Sequence, residues 1–151
     1  MEPVWIEAQD VLALHGRLIA LHGGASGLRD EALLQSALAR PQQHYAYTDT
    51  PDIIDMAAAY TVGILGNHAF VDGNKRTGFV LGVLFLELNG YRFTATEETA
   101  TQAVLALAAG TLDEAGYTAF LRANTQAVKA NEIQLRPVSY THLTLPTKRI
   151  V

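Results

Sequence analysis

Apolar side chains recur every three or four residues along most of the chain, which is the spacing of amphipathic helices. The pattern predicts helices over residues 7–22, 30–40, 52–66, 74–88, 96–109 and 113–124. Short stretches of glycine, proline and polar residues separate these segments, as expected of turns between helices. The chain is therefore predicted to be all-α, a compact bundle of about six helices.

The predicted helix over residues 74–88 is the most apolar of the six. After Arg76 its one charged residue is Glu87, so it is expected to be buried on all sides at the centre of the fold. Gly78 and Gly82 lie four residues apart on one face of this helix. Each mid-helix glycine costs about 1 kcal/mol relative to alanine. Close approach of a neighbouring helix explains why the chain retains them.

The region after the second predicted helix is the least helical part of the chain. Pro41 is expected to end that helix, since proline lacks the backbone N–H that a helix interior requires. Tyr45 and Tyr47 then alternate with small or polar residues, which predicts a short strand or β-hairpin. The sequence NGYRFT at residues 89–94 predicts a turn followed by a second short strand.

Composition places the chain among globular proteins. It has 151 residues, of which 49% are hydrophobic and 17% are charged, enough for one domain with a sizeable core. The formal net charge of −4 argues against direct binding to nucleic acid through a basic surface. The absence of cysteine excludes disulfides and thiolate metal sites.

The two ends of the chain differ in composition from its apolar middle. The N-terminal segment has no basic leader, and no apolar run approaches the roughly 18 residues of a membrane span. The protein is therefore expected to be soluble and cytoplasmic. A single domain is predicted over residues 1–127. Residues 128–151 are interpreted as a tail. Within it, residues 138–151 resemble read-through of a cloning sequence and are interpreted as non-native or disordered.

A dense polar cluster, NHAFVDGNKRTGF at residues 67–79, interrupts the two most apolar predicted helices. Each of its polar residues alone is usually structural. Burying so many polar groups together without partners would cost several kcal/mol. A shared function is therefore the better explanation of the cluster.

The second half of this cluster has the properties of an anion site. Asp72 is the expected N-cap of the following helix, and the backbone N–H groups of Gly73, Asn74 and Lys75 would then be unpaired. A helix N-terminus of this kind binds phosphate. Lys75 and Arg76 add two positive charges, and Asn74 adds an amide donor.

His68 and Asp72 complete the candidate chemistry. An imidazole beside a phosphate site is suited to act as a general base, because imidazoles titrate near neutral pH. Asp72 supplies a hard oxygen ligand for Mg²⁺. Phe70 is expected to be buried and to anchor the loop. The set suits transfer of a phosphorus-centred group to a hydroxyl.

Other catalytic sites fit less well. The chain contains neither the G-x-x-x-x-G-K-[ST] pattern of a P-loop nor the H-E-x-x-H pattern of a zinc protease. The remaining histidines, His15, His22 and His44, are scattered without metal-ligand spacing.

The segment HAFVDGNKRT resembles the signature of the Fic/Doc (Fido) family, H-x-F-x-[DE]-[GA]-N-[GK]-R. Upstream, LHGRLIALHGGASGLRDEALLQSALARP is similar to the opening of the Doc branch of that family, and the resemblance covers roughly residues 5–125. It implies a Fic-fold helical bundle. The residues that match the signature are His68, Phe70, Asp72, Gly73, Asn74, Lys75 and Arg76.

Two positions distinguish the Doc branch from the Fic enzymes that transfer AMP. Those enzymes have a second glycine where this chain has Lys75, and an arginine where it has Phe79. The resemblance to Doc implies that the nucleotide binds in reverse and that the γ-phosphate is transferred. A lysine fills the space that the glycine would leave for phosphates, and it adds a charge of its own.

The resemblance also implies a role for each residue of the motif. His68 would take the proton from the target hydroxyl, and Asp72 would bind Mg²⁺. Lys75 and Arg76 would be catalytic and would cradle the phosphates of ATP together with Gly73 and Asn74. A flap that positions the target by strand-like pairing would fall at residues 40–47, RPQQHYAY.

By resemblance, the chain is the toxin of a type II toxin–antitoxin system, a protein kinase that phosphorylates a threonine of translation elongation factor Tu. The inhibitory pattern [ST]-x-x-x-E-[GN] of many Fic proteins is absent, so a separate antitoxin protein is the expected inhibitor. Two alternatives remain at this point: a protein adenylyltransferase on the same fold, and an inactive module that only binds a partner.

Overall fold

The computed structural model describes residues 2–128 of the chain. Six helices and one small antiparallel sheet account for most of this region, which confirms the predicted helical class. Most predicted boundaries agree with the structure to within a residue or two. The elements are α1 (Ala8–His22), α2 (Glu31–Tyr47), α3 (Ile53–Asn67), α4 (Asn74–Leu88), β1 (Tyr91–Phe93), α5 (Glu97–Ala109), α6 (Glu114–Ala123) and β2 (Thr125–Ala127).

Side-chain caps define the starts of four helices. Asp30, Asp52, Thr96 and Asp113 each accept a hydrogen bond from a backbone N–H in the first turn of α2, α3, α5 and α6, respectively. Such caps satisfy donors that have no partner within the helix. This is why the polar residue before each apolar run predicted the helix boundary.

Helices α3 and α4 form the centre of the fold. From Thr77 to Leu86 every residue of α4 is buried, as its uninterrupted apolar sequence predicted. The two helices lie close together because glycines replace side chains at their contact. Thr61 Oγ1 on α3 donates to the carbonyl oxygen of Gly78 at 2.7 Å. A Cβ on Gly82 would overlap Thr61 Oγ1 and lie 3.0 Å from the carbonyl oxygen of Ala57. Close packing is therefore the reason for the glycines of α4.

The substitution Gly82→Ala is expected to lower the free energy of unfolding by about 2 kcal/mol. The added methyl group would displace Thr61 and break its hydrogen bond to Gly78, and overpacking of this kind typically costs about 1–3 kcal/mol. The gain in helix propensity, about 1 kcal/mol, offsets only part of this loss. Urea or thermal unfolding measures the effect.

Gly16→Ala is the matched control for this substitution. Gly16 lies within α1, and a Cβ there would meet no atom within 4 Å. It is expected to raise stability by up to about 1 kcal/mol through helix propensity alone. Equal effects at the two positions would contradict the close-packing explanation.

The prediction that Pro41 ends the second helix is wrong. Helix α2 continues through Pro41 to Tyr47, and Pro41 is buried within it. A proline inside a helix costs about 3 kcal/mol, so packing must offset the loss. The last turns of α2 have such contacts. Arg40 pairs with Glu114 at 2.6 Å, and Tyr45 packs edge-on against Trp5 with ring centroids 5.7 Å apart.

The strand predicted within residues 89–94 is confirmed as β1. It pairs antiparallel with β2, with Tyr91 opposite Ala127 and Phe93 opposite Thr125. Strand β2 was not predicted, since three residues at the end of a helix carry too little pattern to indicate a strand. The hairpin expected near Tyr45 is not found there, because those residues belong to α2.

Two further expectations concern the limits of the domain. Within residues 2–128 no helix combines the length and the apolar character needed to cross a membrane. Almost all of the predicted tail lies outside the described residues, so its interpretation and the domain boundary at residue 127 remain predictions.

Candidate active site

The polar cluster forms the connection between α3 and α4. His68 is the C-cap of α3 and adopts the left-handed conformation, with φ 49° and ψ 53°. It is the only non-glycine residue with positive φ in residues 2–128. Such backbone strain persists only where the surroundings enforce it, and it is concentrated at functional sites. His68 is exposed, so its imidazole is accessible to a substrate.

Arg29 holds this strained turn. Its Nε donates to the carbonyl oxygen of His68 at 2.6 Å, and its Nη2 donates to the carbonyl oxygen of Asn67 at 3.0 Å. The guanidinium thus satisfies two carbonyl groups at the end of α3, where the helix dipole favours a positive charge. Arg29 was not among the predicted site residues, because it lies 39 residues before His68 and outside the motif.

The loop between α1 and α2 lies along the motif loop. Arg29 N donates to the carbonyl oxygen of Ala69 at 2.7 Å, and Val71 N donates to that of Gly27 at 3.1 Å. The segment that lies beside the motif is therefore the α1–α2 loop. The flap predicted at residues 40–47 is wrong, because those residues are the last turns of α2. They contact the start of α3 through His44, roughly 20 Å along that helix from His68.

Asp72 is fixed by the backbone on both oxygens. Its Oδ1 accepts from Gly73 N at 2.8 Å, and its Oδ2 accepts from Ala25 N at 3.0 Å. These hydrogen bonds, first from Ala25 and then from Gly73, lower the pKa of the Asp72 carboxyl, so the group is ionised at neutral pH. Each oxygen retains lone pairs for a cation.

The prediction that Asp72 caps α4 is wrong, because Gly73 occupies the N-cap position and its N–H is already bonded to Asp72. Gly73 has a φ of 78°, a conformation that favours glycine. A Cβ there would also lie 3.2 Å from Ile19 Cδ1. The free N–H groups of the α4 terminus therefore begin at Asn74 and Lys75, which have no carbonyl partner within the helix.

The Asn74 side chain shapes the motif loop. Its Oδ1 accepts from Phe70 N at 3.0 Å, and its Nδ2 donates to the carbonyl oxygen of Phe70 at 2.9 Å. The amide was expected to be a donor to phosphate, but it is engaged within the loop. What Asn74 can offer an anion is its main-chain N–H. Its Nδ2 also lies 3.5 Å from His68 Nδ1, which is long for a hydrogen bond.

The two cations of the motif occupy different environments. Lys75 is half-buried at the first turn of α4. Arg76 is only 1% exposed, and its Nη1 lies 3.4 Å from the carbonyl oxygens of Leu18 and Gly23. Burial lowers the pKa of Arg76, against an opposing effect of the Asp72 carboxylate, but an arginine remains charged. Arg76 thus connects α4 to the end of α1 while contributing positive potential to the site.

These side chains surround a single cleft of about 210 Å³. Pockets that enclose a whole small molecule are usually about 300–1,000 Å³, so this cleft is suited to a group of phosphate size. The residues that line it are His68, Val71, Asp72, Gly73, Asn74, Lys75 and Arg76. The structure therefore brings together every predicted site residue except Phe70, which was expected to be buried.

A larger apolar groove of about 520 Å³ lies elsewhere, lined by Trp5, Leu84 and Leu88 among others. It is at the C-terminal end of α4, away from the motif. Asp10 and Arg17 are the only charged residues that line it in the described part of the chain, so this groove lacks the convergent polar groups of the smaller cleft.

Phe70 is buried, and it contacts His15, a residue to which the sequence pattern assigned no role. The ring of Phe70 is 1% exposed and stacks on that of His15, with centroids 3.8 Å apart and an interplanar angle of 9°. His15 Nε2 lies 2.8 Å from the carbonyl oxygen of Asp72. Nothing in the spacing of the histidines indicates this contact, which joins residues 57 positions apart.

The donor set is compatible with Mg²⁺ bound together with phosphates. Within residues 2–128 no three His, Asp or Glu side chains converge as a metal site. Among the residues that the structure describes, Asp72 is the one carboxylate that lines the cleft. Mg²⁺ is commonly bound by one or two carboxylates, water and the phosphates of a substrate. An ionised carboxylate beside a helix N-terminus fits that arrangement.

A family model and two known proteins match this chain. The model of the Fic/DOC family matches residues 5–86, more than half of the chain. The chain is 33% identical over 95 residues to "Protein kinase doc" of Escherichia phage P1, covering 63% of this chain and 75% of the relative.

A second relative, "Toxin Doc" of Mycolicibacterium smegmatis (strain ATCC 700084 / mc(2)155), is 40% identical over 92 residues, covering 60% of this chain and 68% of the relative. The matches to these proteins and to the family model support the resemblance that the motif indicated. The chain belongs to the Fic/DOC family, and its relatives place it on the Doc toxin branch.

Proposed function

We propose that this protein is a Doc-type toxin that transfers the γ-phosphate of ATP to a serine or threonine hydroxyl of a translation factor. The observation that carries the proposal is the cleft itself. In it the exposed His68, the ionised Asp72 and the free N–H groups at the start of α4 face the same small volume. The name "Protein kinase doc" of one relative supports the reaction class.

His68 acts on the target hydroxyl. Its imidazole accepts the hydroxyl proton as the oxygen forms a bond to the γ-phosphorus. The bond from that phosphorus to the bridging oxygen then breaks, and ADP leaves with the electron pair. The strained backbone of His68, held by Arg29, gives the ring a defined position at the mouth of the cleft. Correct placement of this kind contributes much of the rate in phosphoryl transfer.

The start of α4 holds the phosphates. The N–H groups of Asn74 and Lys75 and the positive end of the helix dipole attract oxygen anions. The Lys75 side chain and the buried Arg76 add positive potential on the same side of the cleft. Charge that develops on phosphate oxygens is therefore stabilised by groups that are already in place.

Asp72 is the proposed magnesium ligand. When bound, Mg²⁺ would neutralise phosphate charge and align the reacting groups. The two backbone donors hold the carboxylate ionised and in one orientation before any cation arrives. We therefore expect ATP and Mg²⁺ to be required together.

Two positions favour phosphate transfer over AMP transfer. Lys75 lines the cleft at the place where AMP-transferring relatives have a glycine, so its side chain takes space that phosphates would otherwise use. Phe79, which replaces their arginine, is 1% exposed and packs against Phe93 with ring centroids 5.8 Å apart. That position therefore supplies core packing and no cation.

The proposed partners follow from the Doc branch. The chain has no inhibitory [ST]-x-x-x-E-[GN] pattern, so inhibition is assigned to an antitoxin protein acting in trans. The proposed target is elongation factor Tu, in the cytoplasm. No direct contact with nucleic acid or membrane is proposed.

Labelled ATP tests the proposed reaction. Incubation with Mg²⁺, purified elongation factor Tu and ATP labelled at the γ position is expected to label the factor, whereas ATP labelled at the α position is expected to leave it unlabelled. Label from the α position would establish AMP transfer instead. No label from either position, with growth inhibition intact, would favour a module that only binds its partner. His44→Ala, far from the cleft, serves as the variant control.

A further inference from the structure

His15 is a buried titratable side chain that the proposed reaction does not use. It lies in α1 and is 4% exposed. One face of its ring covers Phe70, and its edge reaches the main chain of Asp72. A buried imidazole needs a hydrogen-bond partner, and for His15 that partner is the main chain of a residue that lines the cleft.

The contact identifies the tautomer of His15. A carbonyl oxygen only accepts hydrogen bonds, so the Nε2 atom that lies 2.8 Å from Asp72 O must carry the proton. The hydrogen bond needs only one N–H group at this position, so an amide donor of similar reach could replace the imidazole.

Asp72 is held at three points that come from three parts of the chain. Gly73 N and Ala25 N hold its carboxylate, and His15 holds its carbonyl group. Ala25 lies in an exposed loop, whereas His15 lies in the middle of a packed helix. The contact from His15 is thus the one that ties Asp72 to the rigid core.

We propose that His15 is a positioning residue that fixes the main chain of Asp72 so that its carboxylate is oriented to bind Mg²⁺ together with the phosphates of ATP. The inference rests on the proposed function in assigning Mg²⁺ to Asp72. The positioning role predicts that Mg²⁺-dependent nucleotide binding depends on the hydrogen bond from His15 and not on the stacking of its ring on Phe70.

Three variants separate these contributions. His15→Phe keeps an aromatic ring against Phe70 and removes the donor. His15→Gln places an amide donor at about the same reach and removes the ring. Val11→Ala, one turn earlier at another fully buried position of α1, is the control for lost core packing. Should His15→Phe fail to fold, His15→Met fills similar space without a donor.

The first measurement needs no phosphate transfer. The concentration of Mg²⁺ that gives half-maximal binding of AMPPNP, a non-hydrolysable ATP analogue, is measured by calorimetry on the full chain. His15→Phe is expected to raise it about tenfold, the lower end of the usual range for groups that support a metal ligand. His15→Gln is expected to stay within about threefold of the unsubstituted protein, and Val11→Ala is expected to match it although it unfolds more easily.

The two proposals fail in different ways. An unchanged Mg²⁺ midpoint for His15→Phe would overturn the positioning role even if γ-phosphate transfer is intact. The positioning role would also be overturned if Val11→Ala shifted the Mg²⁺ midpoint as much as His15→Phe does, or if AMPPNP binding did not depend on Mg²⁺. The kinase assignment fails if the unsubstituted protein transfers no γ-phosphate. The positioning role of His15 still stands in that case if His15→Phe shifts the Mg²⁺ midpoint and His15→Gln does not.

Discussion

Replacing His68 with alanine is expected to lower γ-phosphate transfer by about 100- to 10,000-fold, the usual contribution of a general base. His68 is the exposed imidazole at the mouth of the cleft, and no other histidine within residues 2–128 lines it. The loss should appear in kcat, while KM for ATP changes little, because the imidazole acts on the target hydroxyl and not on the nucleotide. Steady-state transfer to the target protein measures both constants.

The backbone of His68 calls for a second variant. Histidine already carries the cost of the left-handed conformation, about 1–2 kcal/mol, and His68→Ala keeps that cost. Asparagine tolerates this conformation and has no basic nitrogen. His68→Asn should therefore lose as much transfer as His68→Ala and retain more stability. Substantial transfer by either variant, judged against an active His44→Ala control, would remove His68 from the role of base.

Replacing Asp72 with asparagine is expected to lower transfer by about 100-fold or more at millimolar Mg²⁺, because the metal loses its protein ligand. The amide also presents N–H groups where Gly73 N and Ala25 N now donate, so at least one of these hydrogen bonds is lost. Raising the Mg²⁺ concentration should restore part of the activity. Transfer rates across a Mg²⁺ titration measure this.

Asp30→Asn is the matched control for this substitution. It removes the same charge from a neighbouring loop, and asparagine can keep the N-cap of α2 that Asp30 now provides. Its Mg²⁺ dependence should equal that of the unsubstituted protein. An equal loss in both variants would indicate a general effect of charge, and normal transfer by Asp72→Asn would refute the assignment of the metal ligand.

The lowered pKa of Asp72 also predicts a pH effect on stability. A carboxyl group whose folded pKa lies below its unfolded value stabilises the fold above the unfolded value, here 3.8. That contribution to stability is lost as the pH falls from 3.8 through the lower pKa of the folded state. Asp72→Asn should therefore flatten the fall in stability below about pH 4, as urea unfolding at a series of pH values would show.

Much of the fold could be predicted because it depends on residues close together in the chain. Asp30, Asp52, Thr96 and Asp113 each cap a helix by contacts within the first turn, so a polar residue before an apolar run indicates the boundary. The unbroken apolar sequence of α4 likewise indicated its central position. Pro41 shows the limit of this approach, since a local preference of about 3 kcal/mol yields to packing against distant parts of the chain.

The cleft residues could be predicted as a group for the same reason. His68 through Arg76 lie within nine positions between two recognisable helices, so any fold that forms these helices brings them near one another. Their individual roles could not be predicted. The carboxylate of Asp72 turns back to Ala25 instead of capping α4, and the Asn74 side chain bonds the loop backbone.

By itself, the sequence determined the helical class, the ends of most helices, the close approach of a neighbouring helix to the glycines of α4, and the grouping of the candidate site residues, because all of these follow from patterns within a few residues. Only the tertiary structure decided what holds the site in place. His15 reaches Asp72 across 57 residues and Arg29 reaches His68 across 39. No local pattern encodes either contact, since each exists only after α1 and the loop that follows it have packed against the α3–α4 pair.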